Sequence, residues 1–390
     1  NVGRTRRHHT FFEMLGNFSF GDYFKRDAIR YGWEFLTDVA GLDKDRLWVT
    51  VHSDDDEAYG FWKTDVGVPT SRIVRDSANV WSMGDTGPNG PCSEIHWDRG
   101  EAFGANERFV EGYDGDRFLE IWNLVFMQFD RSAEGVVTSL PSPSIDTGMG
   151  LERIASILQG TSSNYDTDLF QPLIAIAAKD AGRPYGASEE DDVALRVIAD
   201  HARATAFLIA DGVYPENEGR GYVLRRIMRR AIRFGRKLGM EREFLTAVCD
   251  GVVDCMGVDY AELKEKRGII AQYVRAEEER FGRTLSEGLE ILDRALADSA
   301  ENGASELDGG LVFRLYDTHG FPMDLTRLIA EEKGVGVDQA GFERAMDEQR
   351  ARGRASWKTQ GGGSAWIGDF LSEAGAGAAD LSDSAADAAA

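Results

Sequence analysis

The sequence predicts an α+β protein, with a sheet-rich front part followed by a mostly helical one. Residues 1 to about 160 are dense in aromatic and β-branched runs broken by Gly and Pro. From about 165 to 355 apolar residues recur every three or four positions instead. Regular β-α-β alternation is missing, which argues against a doubly wound parallel sheet. At 390 residues the chain has room for two or three domains of roughly 100 to 200 residues each. The changes of texture divide it into 1–160, 161–355 and 356–390.

Each element follows from local pattern. Over 22–39, Phe24, Ala28, Phe35, Leu36 and Val39 lie on one helical face. Leu47 to His52 reads as a strand, and so does Phe118 to Phe129, which has too little polar alternation for an exposed sheet and is expected to be buried. Helices are expected over 193–211, 222–238, 262–298 and 339–352, with no fixed repeat that would signal a solenoid. Past Lys358 there is no basic residue, Gly361 to Ser364 reads as a hinge, and the Ala-rich acidic stretch 374–390 buries too little to offset its ordering entropy. A flexible tail is expected over 356–390.

Composition narrows the function. Hydrophobic residues make up 42% and charged residues 28%, an ordinary globular balance. No run approaches the roughly 18 apolar residues of a membrane span, and three cysteines give no disulfide framework. A cytoplasmic protein with no membrane partner is therefore expected. The 44 basic and 67 acidic residues give a net charge of −23, which argues against non-specific nucleic-acid binding and against a DNA partner. Nine of the 44 are Lys, so the cations are mostly Arg, suited to bidentate phosphate contacts.

Four stretches depart from this background. In HHTFFEMLGNFSFGDYF (8–24) the alternation at 12/14 and 18/20 fits strand pieces, and paired histidines behind Arg4, Arg6 and Arg7 suit a polyanion such as a nucleoside triphosphate; the plain alternative is a core strand with satisfied histidines. Around TGPNGPCSEI (86–95), preceded by Trp81, two Gly-Pro steps fix a sharply turned backbone that can approach a ligand closely. Cys92 there has no partner at metal-ligand spacing, so no zinc site is expected in this chain. IDTGMGLERI (145–154), with Ile121-Trp122-Asn123-Leu124-Val125 on the buried strand before it, offers a carboxylate for an ammonium, open backbone at a helix N-terminus and a guanidinium for a phosphate; a buried hydrogen-bond pair and a helix cap would explain the same residues. Finally, NEGRGYVLRRIMRRA (217–231) opens a stretch with eight basic residues and no acid between 220 and 237. Leu224, Ile227, Met228 and Ala231 form its apolar seam, leaving Arg225, Arg229, Arg233 and Arg236 as a stripe fit for a nucleic-acid backbone or, more plainly, a solvated face paired with acids.

In this order and spacing, the four motifs closely resemble those of the alanyl-tRNA synthetases, class II aminoacyl-tRNA synthetases, over residues 1 to about 355. The resemblance implies an antiparallel class II sheet followed by a helical domain that reads the tRNA acceptor stem. It implies ATP-dependent activation of L-alanine and its transfer to tRNA(Ala), with Mg²⁺ bridging the phosphates and no covalent nucleophile. Residues 8–15 look like the second strand of the ATP-binding hairpin. By the same resemblance His9 would contact the ATP phosphates, and Phe12 would stack on adenine with Arg153, on the γ-phosphate, opposite it. Trp81 would line the adenylate pocket, Ile121 and Trp122 would meet the nucleotide, and Gly150 would lie along it. Asn123 and Asp146 would bind alanine, Asp146 through the ammonium, in a pocket walled by Trp81 and Val125. Asn217 and Asp317 look like the family's readers of the acceptor-stem G·U pair.

Family members carry an N-terminal region with the arginine that grips the α-phosphate, and later editing and C-terminal domains that hold the family's zinc; this sequence resembles the part between. Two alternatives remain open at this point: a tRNA-binding module descended from a synthetase and no longer catalytic, and another class II ligase for a small amino acid.

Overall fold

The computed structural model of the chain describes residues 1–359; nearly all of the tail expected over 356–390 lies outside the described residues. The chain divides into two compact units, Asn1–Ala276 and Glu277–Ala390.

The first unit is built on one sheet. Its strands are β1 (Met14–Leu15), β2 (Phe18–Phe20), β3 (Leu47–His52), β4 (Ile73–Asp76), β5 (Val80–Ser82), β6 (Gly87–Asp98), β7 (Phe118–Arg131) and β8 (Val137–Gly150). The order is β1-β8-β7-β6-β3-β4, with β2 also pairing β8 and β5 pairing β6. Every pairing is antiparallel except β3 with β4. The long strands β6 and β7 form the centre, with β8 beside β7, and hold apolar side chains on the face toward α1 (Lys25–Glu34): Leu124, Phe126 and Ile145 join Ile95, Val49 and Ile29 in one core. After α1 the chain makes a single π-turn over Phe35–Val39, so the helix expected over 22–39 is shorter and ends irregularly.

Helices follow in the same unit: α2 (Asp56–Gly60) between the strands, then α3 (Leu151–Leu158), α4 (Gln171–Ala181), α5 (Glu189–Ala210), α6 (Gly219–Lys237), α7 (Leu245–Met256) and α8 (Ala261–Glu265). Ser188 caps α5 by accepting from the Asp191 amide, and four acids, Glu189 to Asp192, sit in its first turn, where the helix dipole favours negative charge. The change of texture near residue 160 therefore marks a change of secondary structure inside one unit. The reason is a direct tie: Asp200 of α5 accepts the Thr10 amide from the sheet's edge at 2.9 Å.

Of residues 8–15, expected as the second strand of a hairpin, Met14–Leu15 are strand and 8–13 are not. Their amides go to side-chain carboxylates instead of a ladder.

Helix α9 (Arg267–Asn302) carries the chain across the division. In the second unit β9 (Glu306–Leu307) pairs in parallel with β10 (Gly336–Val337), and α10 (Gly309–Asp317), α11 (Met323–Glu332) and α12 (Gln339–Thr359) surround them. Asp308 caps α10 by accepting from the Leu311 amide, and Phe342 of α12 packs on Phe313 and Tyr316. Among the described residues no helix is long and apolar enough to cross a membrane.

Candidate active site

A cavity of about 400 Å³ opens on the face of the sheet away from α1, within the usual range for small-molecule sites. Strand alternation builds its floor: Asn123 and Val125 of β7 point into it, as do Asp146, Gly148 and Gly150 of β8. The register pairs Val125 with Asp146 and Asn123 with Gly148, so Asn123 and Asp146 are diagonal neighbours on one face. Four residues of strand, about 13 Å, separate Asp146 from Gly150. The cavity thus has two ends. At one lies Asp146, with Trp81 of β5 also on the lining; Met14 of β1, paired with Gly150, lays its side chain over Gly148, and at the other end stand Arg7, His8, Phe12, Glu120 and Arg153.

A bulge shapes the second end. Pairing passes from Ile95–Trp122 to His96–Glu120 and leaves Ile121 as an extra residue, so Glu120 and Ile121 both reach the cavity. Arg153, in the first turn of α3, donates from Nη1 to the Glu120 carbonyl at 2.7 Å and to its carboxylate at 3.1 Å. Arg7 donates to the Gly115 carbonyl and to Asp116. Between these guanidiniums, burial lowers the pKa of His8, and Arg7 and Arg153 lower it further. This end collects two guanidiniums, each paired with a carboxylate, Arg153 with Glu120 and Arg7 with Asp116.

The first end has the opposite character. Burial raises the Asp146 pKa, and among the described residues no cation or hydrogen-bond donor meets its carboxylate. The Asn123 Oδ1 is buried and without a hydrogen bond. Two neighbouring acceptors left unsatisfied in a partly dry cavity make a seat for a compact cation such as an ammonium. Cys92 sits beneath them opposite Val125, and burial pushes its thiol up to about 12, which makes it inert as a nucleophile.

Known proteins bear on what occupies such a site. A family model described as "tRNA synthetases class II (A)" matches residues 1–370. The chain belongs to that family. It is also similar to the alanine–tRNA ligase of Magnetococcus marinus, 56% identical over 364 residues that make up 93% of this chain and 41% of that protein. The corresponding ligases of Lawsonia intracellularis and Nitratidesulfovibrio vulgaris are each 55% identical over the same shares. The chain spans about two fifths of the length of these relatives.

Against this class II frame, the residues singled out from sequence separate into groups. His9, Phe12, Trp81, Ile121, Asn123, Val125, Asp146, Gly150 and Arg153 all border the one cavity. Phe12 presents nearly half its surface. His9 is different in kind: its side chain is 3% exposed, stacks on Phe170 and lies 2.9 Å from Asn164 and 3.4 Å from Asp200. It is held from behind, while His8, half-buried, meets the Thr5 hydroxyl at 2.7 Å. Trp122 does not join them. Period-two alternation turns its side chain to the opposite face, where it packs edge-on against Phe35 at 5.7 Å.

The arginine stripe also differs from expectation. Arg225, Arg229 and Arg233 are buried, and Arg236 is half-buried and donates to the Met240 carbonyl. Arg220, Arg226 and Lys237 are the exposed cations of α6, and Lys237 is paired with Glu190. The cause is that α6 has neighbours on more than its apolar seam, so a stripe on the helix is not a stripe on the protein. Asn217, in the exposed turn before α6, accepts from Arg225. Asp317 is exposed at the end of α10 in the other unit and accepts from Gln349 at 3.4 Å.

Sequence reasoning missed Glu120, Met14 and Asn164, all at the cavity. Glu120 leaves no trace in the pattern because a bulge brings it in. Among the described residues no three metal-ligating side chains cluster, and Glu120, paired with Arg153, is one carboxylate that a Mg²⁺ could share at the arginine end. A magnesium ion carried on phosphate oxygens and water needs little more.

Proposed function

We propose that this chain activates L-alanine with ATP and delivers it to tRNA(Ala), as an alanine–tRNA ligase. The observation that carries the reading is the pairing of ends in one cavity: a desolvated Asp146 beside the orphan Asn123 acceptor, about 13 Å along the strand from the Arg7, His8 and Arg153 cluster. An amino acid with its ammonium on Asp146 directs its carboxylate toward that cluster. The carboxylate oxygen attacks the α-phosphorus of ATP, the bond to the β-phosphate oxygen breaks, and alanyl-adenylate and pyrophosphate result. A hydroxyl at the tRNA 3′ end then attacks the alanyl carbonyl and AMP leaves. Positioning and charge neutralisation are what such phosphoryl chemistry asks of the protein.

In this reading Asn123 and Asp146 hold the ammonium while Val125 and Trp81 bound the methyl group. Phe12 stacks on the adenine and Arg153, opposite it, holds the γ-phosphate, Ile121 and Gly150 lie along the nucleotide, and Trp122 contributes only backbone. His8 rather than His9 meets the phosphates. Glu120 would hold Mg²⁺, which supplies charge neutralisation on the phosphate oxygens when bound. The helical part, 161–355, reads the acceptor stem in the cytoplasm, with Asn217 and Asp317 at the G·U pair and phosphates falling to Arg220, Arg226 and Arg236.

Exchange of labelled pyrophosphate into ATP by the complete natural protein tests the reading. Exchange that depends on alanine is expected. No exchange with any amino acid would favour a tRNA-binding module, and exchange with a different amino acid would favour another ligase.

A further inference from the structure

Residues 8–13 carry Phe12, yet no strand pairs with them, and something else must hold their backbone. Helix α5 does so. Asp200 accepts the Thr10 amide with both oxygens, at 2.9 and 3.2 Å, accepts from the His201 ring at 2.9 Å and lies 3.4 Å from His9. One turn on, Arg203 donates to Glu152 at 2.6 Å and lies 3.6 Å from Glu13. Glu152 in turn accepts the Glu13 amide at 3.2 Å with both oxygens, and the Glu13 carbonyl accepts the Leu151 amide at 2.9 Å. Phe207, one turn further along the same face, stacks on Phe11 at 4.5 Å. Asp200 and Arg203 are fully buried.

Burial of such charges is costly unless they are paired, and apart from His201 their partners lie on the segments that bear Phe12 and Arg153, although the Arg203 Nε and Nη1 make no hydrogen bond. Glu152 is the neighbour of Arg153 in the first turn of α3, and both border the cavity, but the buried Glu152 carboxylate is taken by Arg203 and the Glu13 amide. Arg203 therefore ties together, through Glu152, the two segments that bear Phe12 and Arg153. Burial works against the charge on Asp200, but hydrogen bonding to His201 and His9 outweighs it and holds the carboxyl well below the usual range.

We propose that Asp200 and Arg203 are positioning residues for the nucleotide, setting the gap between Phe12 and Arg153 in which it is held. The inference rests on the reading of the cavity as an ATP site. Neither residue touches substrate; they act through residues 10–13 and Glu152.

The test is pyrophosphate exchange by the complete natural protein and its Arg203→Lys, Glu152→Gln and Asp200→Asn variants, with the KM for ATP and for alanine measured separately. A displacement of about 1 Å costs up to about a hundredfold, so the KM for ATP should rise about tenfold or more while the KM for alanine stays within about twofold. A role confined to folding would lower the maximal rate through loss of active molecules and leave both KM values alone. Folded, soluble variants with both constants within about twofold of the parent, or with both rising together, overturn the proposal. If Arg203→Lys does not fold, Glu152→Gln, which keeps acceptor capacity for the Glu13 amide, decides by the same criterion. A parent without alanine-dependent exchange defeats the underlying reading; an active parent with indifferent variants defeats this inference alone.

Discussion

Asp146 carries a charge that the fold does not neutralise. Its folded pKa is raised by burial, so ionisation is disfavoured in the folded protein and relieved when the chain unfolds; this destabilisation is present at neutral pH and fades as pH falls through the folded value. Asp146→Asn should therefore melt at the same temperature as the parent or slightly above it at pH 7, with the difference shrinking in acid. The same variant should lose alanine-dependent exchange by at least about a hundredfold, since removing one member of a desolvated pair costs about 3 to 5 kcal/mol. A lower melting temperature with exchange retained would make Asp146 a structural residue. His8 supports a second expectation. Burial and the flanking Arg7 and Arg153 keep its pKa low, and triphosphate between those groups reverses the local charge, so ATP binding should draw a proton onto the ring. Calorimetry in buffers of different ionisation enthalpy would read this as proton uptake that is smaller in His8→Gln; equal uptake in parent and variant would remove His8 from the phosphate site.

At the scale of elements, local pattern and what lies across from it separate cleanly. Leu47 to His52 emerges as the strand its apolar run implies, and α6 occupies Gly219–Lys237, close to the expected 222–238. What periodicity cannot supply is the identity of the neighbour. The stripe Arg225, Arg229, Arg233 is real on the helix but buried in the unit, and residues 8–13 fail to form strand because carboxylates of α5 and α3 take their amides. Trp122 and Asn123 look equally available in the sequence, yet the pleat gives one to the core and the other to the cavity. A contrast within α6 follows. Arg229→Ala should lower the melting temperature by several degrees, as loss of a buried charged side chain does, and leave the salt dependence of acceptor-stem binding unchanged. Arg226→Ala, on the exposed face, should leave melting unchanged and reduce the salt slope by roughly one. Hairpin titrations at several salt concentrations beside thermal melts distinguish the two, and the reverse assignment would return the buried stripe to the RNA.

On the scale of the whole molecule, a chain of net charge −23 brings two arginines, Arg7 and Arg153, and the desolvated Asp146 to the lining of one cavity of about 400 Å³. That juxtaposition was legible in part: motif order gave Asp146, Asn123 and Arg153, whereas Glu120 and the role of α5 required the three-dimensional structure. The central claim is that this cavity holds the alanyl and adenosine parts of alanyl-adenylate at once. It is tested most directly by calorimetric titration of the complete natural protein with non-hydrolysable aminoacyl-adenylate analogues. Walls formed by Trp81 and Val125 exclude a large side chain by overlap, whereas the loss of one methyl group costs only about 1 to 3 kcal/mol. The alanyl analogue should therefore bind about 10 to 200 times more tightly than the glycyl one, and the leucyl analogue should bind more weakly than either. Leucyl binding equal to or tighter than alanyl binding, or no binding of the alanyl analogue, would contradict the account.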